Sequence, residues 1–343
     1  MPTPVANLYQ RATISDVAER ADVSIATVSR AINNPSSVAQ PTLLRIQSAI
    51  EELEYIPHAG ARHLASSKTN TIGLLLPGIS GAYFSPMLRG VEAAASKEGY
   101  DLLVYVTQRR SSANPNTRRP MGEHNTDGLI VFTDSLTPAD LTRLNHLGLP
   151  LVMLHQTPPA GLDIPYVTYE NKRGAIKLVD HLVQVHGCQR IAFLAGPEGN
   201  EDSSWREVGY REALQSHGLS LDPALIGLGG FEEDIAEHAV REWMERGLQM
   251  DAILAGDDEA ALGAIHALQS FGVRVPEDVA VVGFDDQSIC RIMNPPLTTM
   301  HAPIELAGQV AVEQLVRLIQ TGHADPLTLL PTNLVIRQSC GCP

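Results

Sequence analysis

Two short stretches of helical periodicity open the readable part of the chain. In the first, Ile14, Val17 and Ala18 share one helical face. Thr13 stands before them as a cap, and Asp16 three residues on makes a variant capping box. Ala21-Asp22-Val23 breaks the pattern. Ser24 then caps a second helix whose Val28 and Ile32 stand four apart and face inward. Its outward face is Ile25, Ala26, Ser29, Arg30 and Asn33. A third helix opens at Pro41, suited to a first turn, and repeats Leu43, Ile46, Ile50 and Leu53 at helical spacing. Glu54-Tyr55-Ile56-Pro57 ends it. Three such helices close a small core. Residues 57–69 follow, small in side chain and weakly helical, with Leu64 as their lone large apolar residue.

From Thr71 the pattern changes to apolar strands alternating with helices. Strands are predicted at 72–76, 101–106, 128–132, 151–154, 190–195, 252–254 and 279–282. Helices are predicted at 87–99, 141–147, 174–185, 204–217, 233–246 and 260–271. Such alternation implies parallel sheets with helices on both faces, and two series imply two lobes. Ligands in such sheets lie beyond the carboxyl ends of the strands, here between the lobes. The segment 107–125 departs from the pattern. It carries Pro115 and Pro120 and little apolar periodicity, so a shortened or irregular element is expected.

Composition adds limits. The 343 residues suffice for one small and one large domain. No apolar run approaches the ~20 residues of a membrane helix. The N-terminal residues lack the basic and apolar regions of a signal peptide, so a cytoplasmic protein is expected. The net charge of −14 argues against general polyanion binding. It is unevenly spread. Up to Lys68, six bases (Arg11, Arg20, Arg30, Arg45, Arg62, Lys68) meet six acids (Asp16, Glu19, Asp22, Glu51, Glu52, Glu54). A neutral head that binds DNA would have weak non-specific affinity and lean on specific contacts.

Four cysteines are too few and too scattered for a disulfide framework. Cys340-Gly341-Cys342 reads as a reduced, exposed tail, since no His or Cys near it in sequence completes a ligand set. His181, His186 and Cys188 lie close in sequence, but Gly187 at the expected helix end favours a turn. No metal site and no cofactor is expected. No nucleophile elbow, phosphate-binding loop or dinucleotide fingerprint appears, so the chain does not read as an enzyme.

A small, polar helix face with one long cation can enter a DNA major groove, although an ordinary helical hairpin presents the same pattern. The order of motifs carries more. Two helices with a tight break, a third helix, Tyr55-x-Pro57, Ala61-Arg62-x-Leu64-Ala65 and a strand Thr71-Ile72-Gly73-Leu74-Leu75-Leu76 resemble the LacI/GalR family of transcriptional regulators. Further along, Asp127-Gly128-Leu129-Ile130, Arg206-x-x-Gly209-Tyr210, Asp257-Asp258-x-x-Ala261-x-Gly263, Val282-Gly283-Phe284-Asp285-Asp286 and Pro295-Pro296-Leu297-Thr298-Thr299 follow in the family's order.

The resemblance implies a helix-turn-helix head at 1–56, a hinge helix at 57–69 and a two-lobed core at 70–339 similar to periplasmic sugar-binding proteins. The lobes would be about 70–168 with 297–323, and about 169–294 with 326–339. Crossovers would fall near 167–169, 294–297 and 321–326. It implies base reading by Ile25, Ala26 and Arg30, with Thr13, Ser24, Thr27, Ser29 and Asn33 on phosphates. Ala61 and Leu64 would act in the hinge, Leu64 as a wedge in the minor groove. His58, where the family usually has Asn, is a departure.

Matching motifs also names a cleft: Pro77, Tyr83, Phe84, Phe132, Asp134 and His155 from the first lobe. Asp202, Arg206, Phe231, Asp257, Glu259 and Asp285 come from the second. Aromatic faces with carboxylates and one arginine suit a sugar, which makes C–H contacts on its faces and hydroxyl bonds at its rim. A purine would also stack on Phe84 and Phe231. Partners implied are a pseudopalindromic double-stranded operator, a small effector and a second copy of the chain. A two-lobed solute sensor without DNA binding is the contrasting reading. No heptad follows Arg337, so a homodimer without a tetramerising tail is expected.

Overall fold

The computed structural model describes residues 12–55, 68–107, 122 and 124–343. The chain divides into two compact units, Met1–Asn70 with His124–Asp127, and the remainder. Ala61, Leu64 and His58 lie outside the described residues, as does nearly all of the irregular segment, 108–121 and 123.

In the first unit, helices α1 (Ile14–Arg20), α2 (Ile25–Asn33) and α3 (Gln40–Glu52) enclose Val17, Ala18, Ala21, Val28, Ala31, Ile46, Ala49 and Tyr55. The capping box forms as the sequence predicts. Thr13 N–H donates to Asp16 Oδ2 at 2.7 Å, and Asp16 N–H donates to Thr13 Oγ1 at 3.4 Å. Ser24 caps α2 by accepting from Thr27 N–H at 3.2 Å. Arg20 of α1 pairs with Glu52 of α3.

The second unit holds two six-stranded sheets. In the first lobe are β1 (Thr71–Leu76), β2 (Asp101–Val106), β3 (Gly128–Phe132), β4 (Leu151–Leu154), β5 (Tyr166–Tyr169) and β11 (Leu327–Leu330). They run in the order β11-β5-β4-β3-β1-β2, all parallel. The second sheet has β6 (Ile191–Ala195), β7 (Ile226–Leu228), β8 (Ala252–Ala255), β9 (Ala280–Asp285), β10 (Thr298–His301) and β12 (Asn333–Val335). Its order is β12-β10-β9-β8-β6-β7. Only β12 is antiparallel. Helices α4 (Phe84–Lys97), α5 (Pro138–His146) and α10 (Ile304–Thr321) serve the first sheet. The second is served by α6 (Asn171–His186), α7 (Glu201–Ser216), α8 (Glu233–Glu245) and α9 (Asp258–Ser270).

The strands at the centre of both sheets are apolar throughout and buried, as a sheet covered on both faces requires. Two crossovers differ from the sequence expectation. β10 pairs with β9 in the second sheet, and β11 with β5 in the first. The chain therefore changes lobes at 302–303 and 331–332, not at 294–297 and 321–326. Both shifts have one cause. β10 and β11 are four residues long and mix threonine with apolar positions, too weak a pattern to be told from a connector. All three crossings thus sit directly after a strand's carboxyl end.

Candidate effector cleft and DNA-reading helix

Parallel strands deliver their carboxyl ends to one edge, and there the chain bends sharply. Asp134 after β3, His155 after β4, Phe231 beyond β7 and Asp285 at the end of β9 all have positive φ, of 61°, 60°, 59° and 107°. None is glycine. Such backbone is sparsely populated and persists where the surroundings over-determine it, commonly at binding sites. Of these four, Phe231 and Asp285 turn to the gap between the lobes.

That gap holds a cavity of about 150 Å³. Tyr83, Phe84 and Phe132 wall it from the first lobe, with Ser80, Gly81 and Thr133. Their rings meet edge to face or tilted at 5.5–5.9 Å between centroids. Asp202, Arg206, Phe231, Asp257, Glu259 and Asp285 wall it from the second lobe, with Asn200 and Gln287. The Phe231 ring sits where a Cβ on Gly196 would be, 2.3 Å from its nearest atom. Glycine at 196 is what allows the ring to lie flat at the cavity edge.

Arg206 anchors the polar wall. It is 4% exposed. Its Nε donates to Asn171 Oδ1 at 2.9 Å, Nη1 to the Gly256 carbonyl at 2.5 Å and Nη2 to Asp285 Oδ1 at 3.2 Å. The guanidinium carbon stands 3.8 Å from the Phe284 ring centroid. Asn171, the first residue of α6, also donates to Asp202 Oδ1 at 2.7 Å, and Thr168 Oγ1 donates to the same oxygen at 3.2 Å. Burial alone would raise the Asp202 carboxyl. His155, 3.1 Å away, then Arg206 and Thr168 outweigh it and hold Asp202 below its usual range. Asp285 stays raised, by burial first and by Asp202, against the pull of Arg206.

Three of the twelve residues expected in the cleft do not line it. Pro77 follows the end of β1, but the turn beyond it supplies Ser80, Gly81 and Tyr83 instead. Asp134 is exposed beyond its left-handed turn, and Thr133 takes its place. His155 is buried behind the wall. Its Nε2 lies 3.0 Å from the Tyr83 hydroxyl, and its Nδ1 beside Asp202. It therefore supports two lining residues from behind. Gln287 was missed. It is 6% exposed and lines the cavity, its backbone N–H donates to Asp258 at 2.7 Å, and neither polar atom of its side chain has a partner among the described residues. Buried amides are normally satisfied. No sequence signal distinguishes Gln287 from a surface glutamine.

The acidic pair divides its work. Asp257 caps α9 by accepting from Ala260 N–H at 2.9 Å and also lines the cavity. Asp258 is wholly buried and accepts from Thr299 Oγ1 at 2.5 Å. Burial, then repulsion from Asp285, pushes Asp257 up to about 7 against the bond from Ala260. Its folded value lies above the ordinary carboxyl range, near 4, that it has in the unfolded chain. Its stabilising contribution is therefore complete below about pH 4 and lost as pH rises through 7. Asp257→Asn keeps the cap and removes the charge. Because the carboxyl is displaced from its ordinary value near 4 up to about 7, the variant is expected to stabilise the protein by up to about 4 kcal/mol at pH 8 and by less than half of that at pH 5. Urea denaturation at the two pH values checks this, and an equal gain at both would remove ionisation as the cause.

Three further bonds cross between the lobes: Ala82 N–H donates to Glu259 Oε1 at 3.2 Å, and Thr157 donates to Glu201 through N–H at 2.6 Å and hydroxyl at 2.5 Å.

In the head, α2 presents Ile25 (49% exposed), Ala26 and Arg30 outward. Among the described residues Arg30 has no ion-pair partner. The polar neighbours are partly engaged. Asn33 Nδ2 donates to the Ser29 carbonyl at 2.9 Å, and the Ser24 and Thr27 hydroxyls lie 2.8 Å apart. Thr13 gives both its N–H and its hydroxyl to Asp16, whose carboxyl those bonds, the backbone one first, hold below its usual range. A fixed carboxylate beside Thr13 makes it the least suited of the set to hold a phosphate.

A helix-turn-helix head and a two-lobed core with a polar, aromatic cleft at its strand ends define a ligand-responsive DNA-binding protein. The sequence agrees. Residues 13–58 match the family described as bacterial regulatory proteins, lacI family, and residues 179–340 match the periplasmic binding protein-like domain. The HTH-type transcriptional regulator RegA of Clostridium saccharobutylicum is 32% identical over 330 residues, covering 95% of this chain and 98% of its own. The structure of the transcriptional regulator CelR–cellobiose complex superposes with a TM-score of 0.70 at 30% identity, covering 96% of this chain and all of that one. The lac repressor dimer bound to operator and the anti-inducer ONPF gives 0.82 at 28% identity, covering 96% and 99%. The chain belongs to the lacI family and is a DNA-binding transcriptional regulator. No helix among the described residues is long and apolar enough to cross a membrane.

Proposed function

We propose that the chain is a homodimeric repressor whose operator affinity is set by a sugar bound between the lobes. The observation that carries this is the wall chemistry: rings on one side, and on the other Arg206, several acids and the unpartnered Gln287 amide. Ring faces cover the C–H patches of a pyranose, while carboxylates, amide and guanidinium take its hydroxyls. Four acids around one arginine disfavour an anionic effector. A purine finds stacking partners but would meet carboxylates where it needs neutral donors as well as acceptors. The relative solved with cellobiose and the repressor dimer solved on its operator fit the same scheme.

In this reading the head comprises 1–56, the linker 57–69 and the core 70–339. Tyr83, Phe84, Phe132, Asp202, Arg206, Phe231, Asp257, Glu259 and Asp285 contact the effector, with Gln287 added. Ile25, Ala26 and Arg30 read bases, and Ser24, Thr27, Ser29 and Asn33 hold phosphates. No catalytic role is assigned. A ligand that prefers one arrangement of the lobes shifts operator affinity, and DNA alters ligand affinity by the same factor.

The test has two arms. Thermal-shift screening with mono- and disaccharides beside purines is expected to return a stabilising sugar. A gel-shift titration on the gene's own upstream DNA is expected to show sequence preference at moderate salt, altered by that sugar. Stabilisation by purines alone would replace the sugar, and binding without sequence preference would remove the operator.

A further inference from the structure

The tail Cys340-Gly341-Cys342 is not a free end. Cys340 is buried and Cys342 half-buried, and both sulfurs meet the last turns of α6. Cys340 Sγ lies 3.4 Å from His181 Nε2. Cys342 Sγ lies 3.7 Å from His181 Nε2 and 3.5 Å from His186 Nε2, and the two Nε2 atoms are 3.3 Å apart. All four ligand atoms fall within 4.8 Å of one another. The sequence expectation was that nothing completed a ligand set for these cysteines. It failed because the two histidines stand about a hundred and fifty residues earlier. Cys188, their neighbour in sequence, is buried in the same core cluster as Cys340 but is not one of the four grouped ligands.

The geometry points to a structural zinc(II) site formed by His181, His186, Cys340 and Cys342. The four shortest distances, 3.3–3.7 Å, match the edges of a tetrahedron. With zinc–nitrogen bonds near 2.0–2.1 Å and zinc–sulfur bonds near 2.3 Å, the edges come to about 3.3 Å between nitrogens and about 3.6 Å between nitrogen and sulfur. Hydrogen bonding alone does not account for the cluster. His181 Nε2 carries one proton or one lone pair, yet it has three ligand atoms within 3.7 Å. One cation at the centre serves all four. Two thiolates and two imidazoles in this arrangement select zinc over magnesium or calcium, which require oxygen ligands.

The surroundings also fit. Gly341 has φ +102°, and a Cβ there would stand 3.3 Å from His186 Nδ1, so glycine lets both cysteines turn to the same point. The Thr298 hydroxyl lies 3.1 Å from Cys340 Sγ, an outer contact of the kind that steadies a thiolate ligand. Ser339 fixes the tail beside it, donating to the Val281 carbonyl at 2.6 Å and accepting from Thr298 N–H at 2.8 Å. Four protein ligands leave no open position, which is the pattern of a structural site. The ion would staple the tail to the end of α6, the helix whose first residue, Asn171, holds Arg206 in the cleft.

The full-length protein, kept reduced and loaded with zinc(II) alone, is expected to retain one zinc per chain against a chromophoric chelator. Its melting temperature should rise on loading. Cobalt(II) should give the intense visible bands of a tetrahedral thiolate site. Cys342→Ser and His186→Ala are each expected to weaken zinc at least about a hundredfold, since even outer-sphere changes cost 10–100-fold. His323→Ala, a change at an exposed histidine elsewhere, should not. Because the melting shift is measured on the unaltered chain, a variant that failed to fold would leave that arm intact. Zinc held no more tightly by the unaltered chain than by Cys342→Ser, a weak octahedral cobalt spectrum, or a Cys340–Cys342 disulfide in place of metal would each overturn the site.

Discussion

Arg206→Ala is expected to remove the response to the effector and to destabilise the core by about 3–5 kcal/mol, the range for breaking a buried pair from one side. Arg206 and Asp285 are each 4% exposed. Without the guanidinium, Asp285 is left charged and unpaired, Asn171 loses its acceptor role and the Gly256 carbonyl loses its donor. Phe284 also loses the plane stacked on it. Asp285 is already raised by burial, and Arg206 is what opposes that rise. The variant should therefore lose more stability as pH rises through the range where Asp285 must ionise. Arg206→Lys should rescue little, because an ammonium cannot reproduce the planar fork. Denaturant titration at two pH values and thermal shift with the stabilising sugar read both effects. A loss under about 1 kcal/mol with sugar binding retained would show that the guanidinium neither holds Asp285 nor meets the ligand.

Arg30→Ala is expected to weaken operator binding by about tenfold to a hundredfold per half-site, and by the product for a dimer on two, from the 1–3 kcal/mol of a bidentate contact to guanine. Arg30 is the long cation on the outward face of α2, beside Ile25 and Ala26, which offer no donors. The two apolar residues are limited to contact with thymine methyls. The head carries no net positive charge to compensate, so little non-specific binding should remain. The effect should vanish on an operator whose contacted guanine is replaced, whereas Thr27→Ala should weaken all sequences alike. Fluorescence anisotropy at one fixed salt concentration separates the two. If Arg30→Ala bound the natural and altered operators within twofold of the unaltered chain, base reading would lie elsewhere.

How far the sequence carries depends on distance along the chain. The capping box at Thr13 and Asp16, the cap at Ser24 and the inward Val28 are local patterns, and they form as read. The long central strands were legible because a sheet covered on both faces needs unbroken apolar runs. β5, β7, β10, β11 and β12 were not, because three or four residues that mix apolar with polar positions or glycine hold too little pattern, unlike the wholly apolar β4 and β8, and the lobe crossings moved with them. In the cleft, charged and aromatic residues within motifs were found, while Gln287 and Thr133 were not. A neutral side chain gains its meaning there only from the cavity it faces.

The sequence by itself determined the small helical head, the alternation that builds two parallel sheets and the strand ends where a ligand would sit. Each rests on spacing within a dozen residues. Tertiary structure decided what lies far apart in the chain: that Asn171, Arg206 and Asp285 form one network, that His155 stands behind the wall rather than in it, and that His181 and His186 meet Cys340 and Cys342. Periodicity records which face of an element is buried. It does not record which distant element covers that face.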